Sequence, residues 1–276
     1  MGEVEIAIGC RLGFDVAHPT HAVVVVEPHL DEEWRVSGAR FATEPAIPTS
    51  IYLDAFGNRC RRMTLPVGPL ELQFDATADA TGQPDDVDLT AEERDPADLP
   101  DDALVFLLPS RYCQSDQIGT FAFQQFGTVP PGWSRVQAIT QWVHDHVSFD
   151  YGAASPSTTA VDVLAAEHGV CRDFAHLAIA LCRALNIPTR YVFGYLPDID
   201  VPATGSPMDF CAWMEVYLGT RWYTFDPRNN QQRIGRTVIG RGRDAADVAM
   251  VTTFGGVELK TMTVIAEQVA VHPHQS

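Results

Sequence analysis

Through the first 80 residues the apolar positions fall in short runs divided by turn residues. Residues 22–26 form a β-branched run bounded by Pro19 and Pro28, the pattern of a strand. Residues 50–53 read as a second strand that ends at the turn pair Gly57-Asn58. Residues 60–65 and 70–74 follow, divided by Gly68-Pro69. Short strands at this spacing predict a β-sandwich or barrel-like unit.

Beyond residue 130 the period changes. Val136, Ile139, Val143 and Val147 recur at spacings of 3, 4 and 4, which predicts a helix over 133–147 with one apolar stripe. Ser134 is its expected N-cap. A shorter helix is expected over 159–167, stopping at Gly169. A third, over 171–185, buries Phe174, Leu177, Ala178, Leu181 and Leu185, and Asn186 and Pro188 end it. Strand-like runs then cover 189–196, 210–218 and 221–225, the last two joined by the hairpin pair Gly219-Thr220. Helices followed by an antiparallel meander give an α+β class. From residue 255 the pattern fits closing strands, then a polar end over 273–276. The expected divisions are a β-rich unit over 1–84, an acidic linker and connecting segment over 85–130, a core over 131–230 and a closing segment over 231–276.

Charge narrows the function classes. The chain carries 36 acidic and 19 basic residues in 276, a formal charge of −17. Nucleic-acid backbones and anionic membrane surfaces are therefore poor partners, because both are bound through Lys and Arg. Residues 85–102 hold nine acidic residues against Arg94 alone and read as a solvated linker. No apolar run approaches the roughly 20 residues of a spanning helix. Glu3 and Glu5 stand where a secretory signal would carry Lys or Arg, so a cytoplasmic location is expected.

The six cysteines are scattered with no CxxC pair, so small buried hydrophobes are the default reading. Cys171 departs from that default. A cysteine in the first turn of a helix faces unpaired backbone amides and the positive end of the dipole, which should lower its pKa. Gly169 allows the sharp turn before it.

Downstream of Cys171, one strand carries Asp209-Phe210-Cys211-Ala212-Trp213, and its hairpin partner ends in Asp226-Pro227. With Gly169-Val170-Cys171, Phe174-Ala175, Asn186-Ile187-Pro188-Thr189-Arg190, Gly194-Tyr195 and Trp222, residues 133–230 resemble the transglutaminase-like superfamily of papain-type thiol enzymes. The β-rich first part resembles the domain that precedes this core in bacterial members. The resemblance implies a papain-like transglutaminase core behind a β-sandwich-like N-terminal domain, with no cofactor. It also implies acyl transfer on a peptide or small amide substrate through a Cys171 thioacyl intermediate, as a cysteine protease, amidase or acyltransferase. Asp226 would take the orienting carboxylate position. The Cys171 amide and one further donor would hold the oxyanion, with Trp142 and Tyr151 as candidates; Trp213 completes the aromatic residues expected to contact substrate.

The sequence departs from the family at one position. Cys211 stands where the family carries its catalytic His, and a thiol has no second nitrogen for Asp226 to hold. Several readings stay open. Another base stands in: His168 precedes the loop into the helix and could swing in, His176 points about 140° away from Cys171 on the helix, and His144 and His146 lie on the first helix. Cys171, Cys211 and Asp226 form part of a zinc site, although no second ligand pair supports a metal. The two thiols form a reversible disulfide or proton couple. Or the domain is catalytically silent and binds a peptide or partner. Arg233, Arg236, Arg241 and Arg243 form the local excess of Arg, which fits either surface salt bridges or a cap over a carboxylate-bearing substrate.

Overall fold

Strict alternation makes the first residues a long strand. Along β1 (Val4–Val16), Ile6, Ile8, Cys10, Leu12, Phe14 and Val16 are buried on one face. The computed structural model describes residues 4–153, 155–202 and 207–269; the polar end over 273–276 lies outside them. β2 (Thr20–Val24), β3 (Val36–Glu44), β4 (Thr49–Leu53), β5 (Arg59–Leu65) and β6 (Gly68–Ala80) complete the β-rich first part. A short α1 (Asp101–Leu104) and α2 (Gly119–Phe126) follow. Next come α3 (Trp133–His146), β7 (Ser148–Phe149), α4 (Ala160–Ala166), β8 (His168–Gly169) and α5 (Cys171–Ala184). The chain continues with β9 (Thr189–Tyr195), β10 (Cys211–Leu218), β11 (Arg221–Phe225) and β12 (Thr237–Gly242), and ends with β13 (Val251–Thr253) and β14 (Val257–Gln268).

The class is α+β, as expected, but the β-rich part is not built from the first 84 residues alone. Its two four-stranded antiparallel sheets run β14-β1-β6-β3 and β13-β2-β5-β4, so the last two strands of the chain complete them. β14 pairs with β1 from Ile6 opposite Gln268 to Val16 opposite Val257. Neither β1 nor β3 contains the unbroken β-branched run that marked the other strands; Gly9, Cys10 and Arg11 interrupt one, and Gly38 the other.

The helical half follows its periodicity. Val136, Ile139 and Val143 are fully buried along α3. Gly132 (φ 93°) rather than Ser134 occupies the N-cap of α3, because the chain enters from a left-handed residue whose added Cβ would lie 3.2 Å from Glu92 Cα. Thr159 caps α4 through a capping box with Asp162. The buried face of α5 packs against β10 and β9 in the sheet β11-β10-β9-β12.

The acidic segment is strapped to the core by ion pairs as well as solvated. Asp85 accepts from Arg236 at 2.8 Å, Asp86 from Arg221 at 2.9 Å and Glu93 from Arg135 at 2.8 Å. Among the described residues no helix is long and apolar enough to cross a membrane.

Candidate active site

The start of α5 is fixed by its own first turn. Asp173, fully buried, accepts from the Val170 amide at 3.0 Å, and Arg172 closes on the same carboxylate at 2.9 Å. Gly169 permits that turn: a Cβ there would lie 2.7 Å from Asp173 Cβ. The result sets Cys171 at the helix mouth, where the first backbone amides have no acceptor within the helix. Its Sγ lies 3.9 Å from the Phe210 carbonyl, at the entrance to β10.

Cys171 and Cys211 are both half-buried free thiols, and both line the same two cavities. One has a volume of about 200 Å³ and also receives Tyr151, Asp209 and Arg228. The other, about 620 Å³, lies against β9 and the segment leading into β13. Among the described residues, no imidazole lines either one. His176 is fully buried behind the helix, where its Nε2 accepts from the Ala245 amide at 3.1 Å. His168 is exposed and hydrogen-bonds the Ala166 carbonyl at 2.8 Å. His144 contacts the Arg228 carbonyl at 2.9 Å, and His146 stacks on Trp142.

Asp226 is buried, and protein groups occupy its oxygens. The Asn229 amide donates to Oδ1 at 2.9 Å, and the Asn229 side chain and Arg236 donate to Oδ2 at 2.8 and 2.9 Å. Burial opposes its charge, but Arg236 and Asn229 outweigh burial and hold the carboxyl below its ordinary value. With its oxygens so used, Asp226 is not a free metal ligand, and no group of three His, Cys, Asp or Glu suited to a metal is present among the described residues. The Cys171, Cys211 and Asp226 set named for zinc is thus not assembled among the described residues.

The expected lowering of the Cys171 pKa is reversed. Burial pushes the thiol up to about 11; the Ala212 amide and Arg228 pull the other way, while Asp209 and Asp226 add to the rise. Burial raises Cys211 as well, helped by the neighbouring Cys171 and Asp226. Loss of solvent is the largest cause of the shift and outweighs the Ala212 amide and Arg228 together.

Of the three aromatic candidates, only Tyr151 stands in a cavity with Cys171. Burial lifts its phenol above the ordinary value, so it keeps a proton to donate. Trp142 packs between α3 and α2 against Phe121 and Phe126, away from both cavities. Trp213 is 1% exposed. Its ring occupies the space above Gly194, where an added Cβ would lie 2.6 Å from it, and Arg236 sits 4.9 Å from its centroid. It packs under the Asp226–Arg236 pair and lines neither cavity.

A family model for the transglutaminase-like superfamily matches residues 120–227. A candidate cysteine protease from Cytophaga hutchinsonii matches in structure with a TM-score of 0.86 and 31% identity, over 99% of this chain and 93% of that one. The chain belongs to the transglutaminase-like superfamily. Among curated relatives, an uncharacterised Mycobacterium leprae protein is 32% identical over 117 residues, 41% of this chain and 42% of its own length. An uncharacterised Mycobacterium bovis protein is 32% identical over 143 residues, 49% of this chain and 46% of its own. The matches thus span less than half of the curated relatives. The superfamily fold and the Cytophaga neighbour place the chain in a thiol-dependent enzyme family.

Within that superfamily framework, the residue missed by sequence reasoning is Asp209. Its carboxyl lines the smaller cavity and is close enough to Cys171 to raise its pKa. Burial raises the pKa of Asp209 itself, against the Phe210 amide and Arg228. Its place two residues before Cys211, on the side a strand would share, was the available signal. The Arg cluster is taken up by carboxylates of the protein: Arg233 by Asp198, Arg236 by Asp85 and Asp226, Arg241 by Glu215 and Asp31, Arg243 by Asp247.

Proposed function

We propose that the chain is a thiol-dependent acyl-transfer enzyme acting on amide bonds, with Cys171 as nucleophile and Asp209 as the group that carries its proton. The observation behind this reading is that Cys171, at a helix mouth, shares one open cavity with a half-buried carboxyl and a phenol. In the first step Sγ bonds to the substrate carbonyl carbon and the thiol proton passes to the Asp209 carboxylate. Tyr151 and the first amides of α5 stand near the developing oxyanion. The C–N bond then breaks, and the amine leaves with the proton that Asp209 held. Water or a second amine attacks the thioester, and the thiol is restored.

With the thiol near pKa 11, about one molecule in ten thousand carries the thiolate at pH 7. The reaction should therefore be slow at neutrality and should quicken as the pH rises. A second reading, a silent cleft that binds the same amide without cleaving it, is favoured by that raised thiol and by cavity linings that hold no imidazole among the described residues.

The two part in one experiment. The purified chain is incubated with acyl p-nitroanilides at pH 7 to 10, and adducts are mapped by mass spectrometry. An acyl group on Cys171, with nitroaniline release that is lost in Cys171→Ala, supports the enzyme. Release that is unchanged in Cys171→Ala rules it out.

A further inference from the structure

The two cavities that meet at Cys171 have different walls. The smaller, about 200 Å³, carries charge: Asp209, Arg228 and the Asp198–Arg233 pair at 2.7 Å. The larger, about 620 Å³, is walled by Tyr191, Phe193, Val248, Ala249, Met250 and Leu259. Two of the polar side chains along it, Tyr112 and Arg172, already have protein partners. The Tyr112 hydroxyl donates to the Pro156 carbonyl at 2.7 Å, and Arg172 is engaged by Asp173 and by the Ser155 carbonyl at 2.7 Å. Cys171, Cys211 and Phe210 belong to both cavities.

We infer that the larger cavity takes the acyl part of the substrate and selects an apolar one, such as an aliphatic chain or the side chain of a large apolar amino acid. This rests on the reading of Cys171 as an acyl-transfer nucleophile. The direction follows from the proton. The leaving amine must collect one, and Asp209 stands in the smaller cavity, so the amine departs there and the acyl group lies opposite. Size agrees with that division: 620 Å³ falls within the roughly 300–1,000 Å³ of ordinary small-molecule sites, and 200 Å³ falls below it. Chemistry agrees as well. A charged acyl group in the larger cavity would lose its hydration and find Arg172, the cation in its wall, already held by Asp173 and the Ser155 carbonyl. An apolar one gains roughly three- to fourfold for each methylene it buries.

The test uses the full chain and p-nitrophenyl esters of acetate, butyrate, hexanoate and octanoate, which share one leaving group, with the hemiglutarate ester as a charged acyl. Sγ displaces p-nitrophenolate, and the rate of acyl-Cys171 formation is followed by mass spectrometry, each rate divided by that of the same ester with free cysteine. The expected result is a rise of at least about tenfold from acetyl to octanoyl, with hemiglutarate slower than butyrate. Ala249→Trp, which fills the cavity, and Leu259→Asp, which charges a partly exposed part of its wall, should each cut the octanoyl-to-acetyl ratio about tenfold. Equal normalised rates along the series, with acetyl still labelling Cys171, would overturn the acyl assignment and leave the nucleophile standing. An octanoyl preference that survives in both wall variants would overturn it too. Failure of every ester to label Cys171 would remove the nucleophile, and this inference with it.

Discussion

Asp226 and Arg236 meet at 2.9 Å with side chains only 2% and 6% exposed, one on the turn after β11 and the other just before β12. Removing one member of such a pair leaves a buried charge without compensation. Arg236→Met is therefore expected to cost about 3–5 kcal/mol in urea unfolding, with part of the loss recovered in the Arg236→Met, Asp226→Asn double variant. The pH dependence should change sign. In the native chain the depressed Asp226 carboxyl contributes stability above its unfolded value of 3.8, and that contribution fades as the pH falls through its folded value. In Arg236→Met, burial acts with less opposition and raises the folded value. Stability should then fall as the pH climbs from about 4 towards neutrality, which unfolding midpoints at successive pH values would record.

The Cys171 thiol should titrate late. Its rate of alkylation by iodoacetamide, followed peptide by peptide, is expected to rise with pH to a midpoint near 11. An ordinary thiol has its midpoint nearer 9.0. A midpoint below that ordinary value would mean that the helix dipole overcomes burial after all. The raised thiol also has a stability consequence. Below about 9 its contribution is intact, and between 9 and 11 it is lost, because the unfolded chain gives up its proton first.

Placing an imidazole where β10 begins should move that midpoint. Cys211→His is expected to lower the alkylation midpoint of Cys171 by a unit or more, through an imidazole N–H donated to the thiolate. The gain should stop short of a full triad, because Asn229 and Arg236 already occupy the oxygens of Asp226. An unchanged midpoint in a folded Cys211→His chain would show that residue 211 does not face the nucleophile.

Asp209→Asn removes the proposed proton carrier while keeping shape and the hydrogen bond from the Phe210 amide. General acid–base groups contribute about 10²–10⁴ in rate, so a loss of at least about a hundredfold in amide cleavage is expected. Ester acylation should suffer less, since p-nitrophenolate leaves without a proton. Equal loss on both substrates would point to a structural role for Asp209.

The elements legible in the sequence are those whose signal is local. The 3.6-residue stripe of α3, the apolar face of α5 with its stop at Asn186, and the Gly219-Thr220 hairpin each depend on neighbours a few residues away. What escaped depends on residues far apart. The partner of Asp85 is 151 residues downstream, so a solvated linker was the natural reading of a segment that is in fact tied down. Trp213 is two residues from Cys211 on one strand, but whether it meets a ligand depends on Gly194 across the sheet, which leaves room for the ring. The pKa of Cys171 failed for the same reason. The helix terminus is visible in the chain, whereas the burial that raises the thiol comes from the cleft that distant segments build around it.

The pairing of β14 with β1 also governs how the molecule can be made. Strands separated by some 250 positions zip together residue by residue, and the Val269 amide closes on the Glu5 carbonyl at 2.8 Å. On the ribosome, β1 must wait with one edge bare until residues 257–268 have emerged. The central helices and their hairpin depend on nearby contacts and are free to settle first. Maturation should therefore run from the middle outward, with the cleft at Cys171 taking shape before the β-rich layer that closes against it through Leu259.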